Sequence, residues 1–166
     1  MRVSGNLPIR DSLIALTLVV TLLTIAACDQ IFMGQPIVGD LVGMYRLTEA
    51  SRSFLTTRKR YASLPDGSVE LRSDFSIVIR NLPDCAIDGF GDSSGKFLSG
   101  QGTWEIKKAF PGFGLDLLID SAGTLPAGGY MGPWIRIRGG RSHYELEFTV
   151  GDPDSGETVR YSWQAS

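Results

Sequence analysis

Histidine and cysteine are scarce in this chain of 166 residues, which has one histidine, His143, and two cysteines, Cys28 and Cys85. A metal centre built from several imidazoles is therefore excluded, and two cysteines provide neither a disulfide framework nor a cysteine-rich zinc site. Any Ser-His-Asp or Cys-His mechanism would have to use His143. This histidine shares the polar face of a predicted strand with Glu145 and Glu147, which favours an exposed ion pair over catalysis. We expect a protein that is not an enzyme and has no cofactor.

An excess of charge of one sign is absent as well. The chain carries 16 basic and 18 acidic side chains, a formal net charge of −2. This balance provides no basic surface for nucleic acid, so no nucleic-acid partner is expected. Glycine, in contrast, is abundant, with 20 of the 166 residues, where globular proteins have about 7%. The excess indicates many tight turns and therefore short β-strands.

A long uncharged apolar run occupies residues 12–27, and Arg2 and Arg10 precede it. A basic start followed by such a run is typical of a secretory signal. As a helix, the run would extend about 24 Å, which is less than the roughly 30 Å hydrocarbon core of a bilayer. A secretory signal therefore fits better than a permanent spanning helix.

The run ends in Ile25-Ala26-Ala27-Cys28, which resembles the lipobox of bacterial lipoproteins. The resemblance implies that residues 1–27 are a lipoprotein signal peptide and that Cys28 receives a diacylglyceryl group, usually followed by a further acyl chain such as palmitate. Two or more chains hold a protein stably on a bilayer. The expected location is the bacterial cell membrane, on its outer or periplasmic side, with the covalent lipid as the membrane contact. A plain secretory signal and an uncleaved anchor are the alternatives.

The residues after the lipobox predict a tether followed by one domain. Asp29 resembles the inner-membrane retention signal of enterobacterial lipoproteins, which favours the inner membrane. The choice between inner and outer membrane stays open. Residues 28–39 show no clear periodicity and include Gly34 and Pro36, as expected for a lipidated N-terminus and tether. Residues 40–166 form the predicted domain.

From residue 41 onward, apolar and polar residues alternate with a period of two, which predicts half-buried β-strands. Eight short segments show this pattern, and their apolar members are Tyr45 and Leu47; Val69 and Leu71; Ile77 and Ile79; Trp104 and Ile106; Leu115, Leu117 and Ile119; Ile135 and Ile137; Tyr144, Leu146, Phe148 and Val150; and Val159, Tyr161 and Trp163. Eight strands separated by turns predict an all-β sandwich or barrel. Residues 50–63 fit either an irregular strand or a short helix.

Two hairpins make the strand register predictable. If Gly139-Gly140 is a two-residue turn, Ile135 lies opposite Tyr144. In the final hairpin, Val150 lies opposite Val159. Both pairings place the apolar residues on one face and the charged residues on the face towards water.

A family resemblance is carried by turn and strand-start motifs, which are Gly43-Met44-Tyr45, Asp74 leading into Asn81-Leu82-Pro83, Gly102-Thr103-Trp104, and Gly151-Asp152-Pro153-Asp154-Ser155-Gly156-Glu157. In these motifs, across about residues 42–163, the chain resembles small bacterial lipocalin-like lipoproteins. The resemblance implies an antiparallel up-and-down barrel of about eight strands, and it implies no activity. Phe75 is a departure, because the family commonly has glycine after the turn aspartate.

The inward face of the predicted barrel carries six aromatic side chains, Tyr45, Trp104, Tyr144, Phe148, Tyr161 and Trp163. They would either line a cavity for a small hydrophobic or amphipathic ligand or fill a core. In the first case the protein is a non-catalytic binding module, which holds such a ligand or contacts another envelope protein through its loops. In the second case it is a structural or interaction protein of the cell envelope without a ligand.

Other segments carry weaker signals. Asp152, Asp154 and Glu157 loosely imitate a calcium loop, but the same residues suit a hairpin turn. Cys85 is unpaired once Cys28 is lipidated, and we expect a partly buried thiol without a chemical role, with a reactive thiol or an intermolecular link as the alternatives. Residues 84–102 contain five glycines and predict a long connection at a barrel rim, and residues 58–60 form a basic patch on a solvated face.

Overall fold

In the computed structural model, the described residues are 34–59, 61–87, 94–108, 112–124, 130–140 and 143–164, and for residues 121–123, 130–134 and 153 the description covers the backbone alone. One compact unit, Gln35–Ser166, begins inside the segment predicted to be a tether. The predicted signal peptide and Cys28 lie outside the described residues. Among the described helices, none is long and apolar enough to cross a bilayer.

Eight antiparallel strands form a closed barrel in which each strand pairs with the next and the last pairs with the first. The strands are β1 (Gly43–Leu47), β2 (Ser68–Leu71), β3 (Ser76–Pro83), β4 (Phe97–Lys108), β5 (Phe113–Gly123), β6 (Tyr130–Arg138), β7 (Glu145–Thr149) and β8 (Thr158–Gln164). The predicted lipocalin-like, up-and-down barrel is confirmed. The sandwich alternative is wrong, because a sandwich has two separate sheets and this sheet closes on itself.

The barrel core follows directly from the period of two, because alternate side chains of a strand point to the same side of the sheet. The inward side chains Tyr45, Val69, Ile77 and Ile79 are at most 1% exposed. Burial of one such side chain contributes about 1.5–3 kcal/mol relative to an exposed position. The alternating segments of the sequence therefore became the walls of one apolar core.

The register of the β6–β7 hairpin differs from the prediction. Ile135 lies opposite Phe148 and not opposite Tyr144. The reason is the length of the connection, which runs from residue 139 to residue 144 and is not a two-residue turn at Gly139-Gly140. The predicted pairing is wrong by four residues.

The β7–β8 hairpin is also displaced from its predicted register. Val159 pairs with Phe148 and not with Val150, a difference of two residues. Val150 instead donates its backbone N–H to the Glu157 carbonyl at 2.9 Å and belongs to the turn. Shifts by an even number of residues leave every side chain on its predicted face, so the core composition is unaffected.

The barrel has two rims, which differ in what covers them. At the first, the α1 rim, helix α1 (Val38–Leu41) precedes β1, and residues 72–75 connect β2 to β3. At the second, the α2 rim, helix α2 (Glu49–Thr57) connects β1 to β2, and short 3-10 helices (Asp84–Ala86 and Pro153–Ser155) follow β3 and β7. Leu41 and Leu55, both 0% exposed, extend the core towards these two rims.

Helix α2 resolves the open prediction for residues 50–63 in favour of a helix. Thr48 caps its first turn by accepting a hydrogen bond from the Ser51 backbone N–H at 3.3 Å, and Glu49 adds a negative charge near the helix N-terminus. Ser51 and Leu55 are four positions apart, so they share one helix face, and both are buried.

The connection between β3 and β4 is shorter than predicted. Residues 97–102, predicted to belong to it, form the start of β4. A bulge between Gly100 and Gly102 adjusts the pairing with β5. A side chain at Gly102 would lie 2.9 Å from the Ile119 Cα atom, so only glycine allows this close approach of two strands.

The β2–β3 turn forms although Phe75 occupies the position where the resemblance to lipocalin-like lipoproteins predicts glycine. Phe75 has a φ of 63°, a left-handed conformation that glycine adopts more easily. The Arg72 backbone N–H donates to the Ser76 carbonyl at 3.0 Å, and the Asp74 carboxylate accepts from the Ser76 N–H at 2.9 Å. The Phe75 ring packs 5.4 Å from the Trp104 ring, a contact that glycine would not make.

Candidate functional site

A cleft of about 600 Å³ lies between helix α2 and the outer face of β8. Helix α2 contributes an apolar wall through Ala50 and Phe54, and Arg58 lies just beyond its C-terminus. The opposite wall carries Glu145, Glu157 and Arg160. We call this space the α2 cleft.

The first turn of α2 is attached directly to β8. The Ser51 hydroxyl oxygen accepts a hydrogen bond from the Arg160 backbone N–H at 2.8 Å, and the Thr48 N–H donates to the Arg160 carbonyl at 3.0 Å. The Thr48 hydroxyl donates to the Ser51 hydroxyl at 2.9 Å. Ser51 and Arg160 are 109 positions apart, so no local sequence signal predicted this contact.

The far end of the α2 cleft is closed by an ion pair. Lys59 Nζ lies 2.7 Å from Glu157 Oε2 and 5.8 Å from the centre of the Phe54 ring. The ion pair connects the residues after α2 to the β7–β8 turn. Its side chains are 25% and 32% exposed, so water screens the pair only in part.

Glu147, which was predicted to face water, is 1% exposed, and this prediction is wrong. Arg160 donates from Nε to Glu147 Oε2 at 2.9 Å. Arg138 Nη2 lies 2.9 Å from the other carboxylate oxygen of Glu147, Oε1, and the two groups form an ion pair without the geometry of a hydrogen bond. The buried carboxylate is therefore compensated by two guanidinium groups, as a charge removed from water requires.

Two charges in the α2 cleft differ from these paired groups. Within the described part of the chain, neither Arg58 nor Glu145 has an ion-pair partner. Arg58 is exposed and Glu145 is half-buried. A guanidinium, a carboxylate and the Phe54 ring thus line the same cleft, an arrangement complementary to a small amphipathic molecule that carries both charges.

The aromatic side chains predicted to line the barrel are mostly buried. Tyr45, Trp104, Tyr144, Phe148 and Tyr161 are at most 6% exposed, and Trp163 is half-buried. The rings of Phe148 and Tyr161 lie 5.5 Å apart in an edge-to-face arrangement. Burial raises the pKa of Tyr45 and of Tyr161 above the ordinary tyrosine value. Their role as ligand contacts stays a prediction.

Two of these aromatic residues also line a smaller cleft of about 200 Å³ at the α1 rim. Tyr144 and Trp163 meet Gly39, Asp40 and Val42 there. The Trp163 indole N–H donates to the Val42 carbonyl at 3.4 Å, and the Tyr45 hydroxyl donates to the Leu41 carbonyl at 2.8 Å. These bonds hold α1 against the barrel.

The residues of the weak calcium candidate are engaged elsewhere. Asp152 caps the 3-10 helix by accepting from the Asp154 N–H at 2.9 Å, and Glu157 pairs with Lys59. Asp154 is exposed. No group of three or more potential metal-ligating side chains occurs among the residues that the structure describes. The geometry matches the alternative prediction, a hairpin turn.

A polar cluster closes the barrel beside the 3-10 helix that follows β3. The Tyr61 hydroxyl donates to the Asp84 carboxylate and accepts from the Cys85 backbone N–H at 3.4 Å. Cys85 is 2% exposed, and burial raises the pKa of its thiol, which disfavours a reactive thiolate. Tyr61, at 3% exposure, is part of the interior and not of the basic patch beside it. His143 is exposed in the β6–β7 connection.

Comparison of the chain with protein-family models, with curated proteins and with solved structures finds no match.

Proposed function

We propose that this protein is a lipid-anchored lipoprotein of the bacterial cell envelope and a non-catalytic binding module for a small amphipathic ligand. The observation that carries the ligand proposal is the α2 cleft, in which an apolar wall meets Arg58 and Glu145, two charges without an ion-pair partner among the described residues. The uncharged run that ends at Cys28 supports the anchor.

The cleft residues define the chemical class of the ligand. The Phe54 ring and Ala50 suit an apolar chain, the Arg58 guanidinium suits an anionic group, and the Glu145 carboxylate suits a cationic group. Lysophosphatidylethanolamine combines one apolar chain with both charges, so it is a suitable probe.

Native mass spectrometry tests the ligand proposal. The full chain, purified in detergent, is expected to retain lysophosphatidylethanolamine, and F54A, R58Q and E145Q are expected to retain several-fold less. R46Q is the matched control, because Arg46 is an exposed residue of β1 outside the α2 cleft. Equal retention by all four variants would contradict a site in the cleft.

The anchor has a separate test. Cys28→Ser is expected to abolish incorporation of a radiolabelled fatty acid, whereas Cys85→Ser, at the buried free cysteine, is expected to leave incorporation unchanged. Incorporation into the Cys28→Ser chain would refute the lipobox assignment.

A second candidate is a structural or interaction protein of the envelope with a filled core. The observation that favours it is the near-complete burial of Tyr45, Phe148 and Tyr161 inside the barrel. A chain that is labelled at Cys28 but retains no amphiphile would support this candidate over the binding module.

A further inference from the structure

Three large apolar side chains in the described part of the chain are strongly exposed: Ile37 at 54%, Phe75 at 46% and Leu118 at 53%. Leu118 lies on the outer face of β5, midway between the rims. Ile37 directly precedes α1, and Phe75 lies in the β2–β3 turn. Two of the three therefore lie at the same rim, the α1 rim.

Phe75 is exposed in a backbone conformation that favours glycine, with a φ of 63°. The turn around it is complete without the ring, because its hydrogen bonds come from Arg72, Asp74 and Ser76. An exposed aromatic ring at such a position costs conformational free energy and leaves apolar surface in water. The ring packs against Trp104 on one side, and a contact outside the barrel would cover the apolar surface that this packing leaves in water.

The chain enters the barrel at this same rim. Gln35, the first residue of the compact unit, is seven residues from Cys28, and seven residues extend over at most about 25 Å. A bilayer that holds lipidated Cys28 therefore lies within about 25 Å of the first residue of the barrel unit. One basic side chain for a lipid phosphate, Lys108 at the end of β4, is also exposed at this rim, whereas the exposed Arg72 is paired with Glu70 at 2.8 Å.

We propose that the α1 rim rests on the bilayer surface, with Phe75 and Ile37 in the boundary between headgroups and acyl chains. The proposal depends on the lipid anchor of the proposed function and adds an orientation to it. Helix α2 lies at the opposite rim, so the part of the cleft lined by Phe54 and Arg58 faces the aqueous compartment, whereas Glu145, the first residue of β7, lies nearer the α1 rim.

A fluorescent label at either rim tests the orientation. The experiment uses the full chain with its lipid-modification signal and an environment-sensitive nitrobenzoxadiazole label. One variant carries the label on Ser73→Cys in the β2–β3 turn, and the other carries it on Ser155→Cys in the β7–β8 turn. Both serines are exposed. In vesicles of equal parts phosphatidylethanolamine and phosphatidylglycerol, the Ser73 label is expected to shift to the blue and to be quenched by doxyl lipid. The Ser155 label is expected to show neither change.

The contribution of Phe75 is isolated by adding F75G, in which glycine suits the left-handed backbone, with L118S as the matched control. F75G is expected to reduce quenching of the Ser73 label several-fold, and L118S is expected to leave it unchanged. Equal quenching of the two labels, or a stronger signal at Ser155, would overturn the orientation. Vesicle-bound protein without quenching at Ser73 would overturn the docking but leave the anchor intact, whereas protein that does not float with vesicles would overturn both.

Discussion

Phe75 adopts a positive φ, a backbone conformation that usually requires glycine. The resemblance to lipocalin-like lipoproteins favours glycine there, and the left-handed φ of 63° gives the physical reason. The turn nevertheless forms, because Asp74 and Ser76 complete its hydrogen bonds and the ring packs on Trp104. Its neighbours in the turn were predictable from sequence, but the ring contact with β4 was not.

Two substitutions at Phe75 separate backbone strain from ring packing. Phe75→Gly and Phe75→Ala both remove the ring, so they differ only in how easily the backbone adopts a positive φ. We expect the glycine variant to be the more stable by about 1 kcal/mol in urea unfolding. An alanine variant of equal or greater stability would show that position 75 does not hold a left-handed conformation in solution.

Asp84 makes the stability of the fold depend on pH. Burial tends to raise the pKa of Asp84, but hydrogen bonds from Ser94, Tyr61 and the Lys96 N–H outweigh it and hold the pKa below its ordinary value. The ionised carboxylate therefore stabilises the fold above the ordinary aspartate pKa of about 3.9, and this contribution is lost as the pH falls below that value.

Asp84→Asn is the corresponding variant. It keeps the shape of the side chain but removes the charge, so the hydrogen bonds from Ser94 and Tyr61 no longer reach an ionised acceptor. We expect the free energy of unfolding to fall by about 1 kcal/mol at neutral pH, a small loss because water screens a partly exposed carboxylate. The difference from the unmodified chain should shrink as the pH falls below about 4. Urea midpoints measured across this range check it, and a difference independent of pH would contradict the role of the charge.

Among the elements, helix α2 is the one for which the sequence left two possibilities. Its capping residue Thr48 and the spacing of Ser51 and Leu55 are local features and agree with a helix. Its position against β8 depends on the Ser51 hydroxyl and the Arg160 backbone N–H, which come together only when the barrel closes. The walls of the α2 cleft are set by this contact.

Ser51→Ala removes the acceptor for the Arg160 N–H. We expect a loss of about 1 kcal/mol in the free energy of unfolding, because a half-buried donor is left without its partner. Ser53→Ala is the control, since Ser53 is exposed on the same helix and its replacement makes the same serine-to-alanine change in helix propensity without removing a contact to β8. Equal urea midpoints for the two variants would show that the hydroxyl does not attach the helix.

The closed sheet as a whole depends on the pairing of its first and last strands. Leu47 of β1 pairs with Tyr161 of β8, so the two ends of the domain stabilise each other. Without β8, both β1 and β7 would expose an unpaired edge, and Tyr161 and Val159 would be lost from the core.

A chain that ends at Glu157 lacks β8 and is expected to lose its cooperative urea transition, monitored by far-ultraviolet circular dichroism and tryptophan fluorescence. The control ends at Gln164 and keeps all of β8. A cooperative transition in the shorter chain would mean that seven strands fold without closure.

Alternation along the chain was sufficient to predict the eight strands and the faces of their side chains, because the side-chain direction in a strand is a local property with a period of two. Alternation left a sandwich and a barrel open, and only the resemblance to lipocalin-like lipoproteins favoured the up-and-down barrel that the structure shows. The strand partners of Ile135 and Val159 were not predictable in the same way, since an even shift preserves every face and only the length of the folded connection selects among registers. The burial of Glu147 between Arg138 and Arg160 follows from these same hairpin registers, whereas the attachment of Ser51 to β8 arose from closure of the barrel. Contacts between residues far apart in the sequence carry no periodic signal, and such contacts hold the walls of the α2 cleft together, among them the bond between Ser51 and Arg160, 109 positions apart.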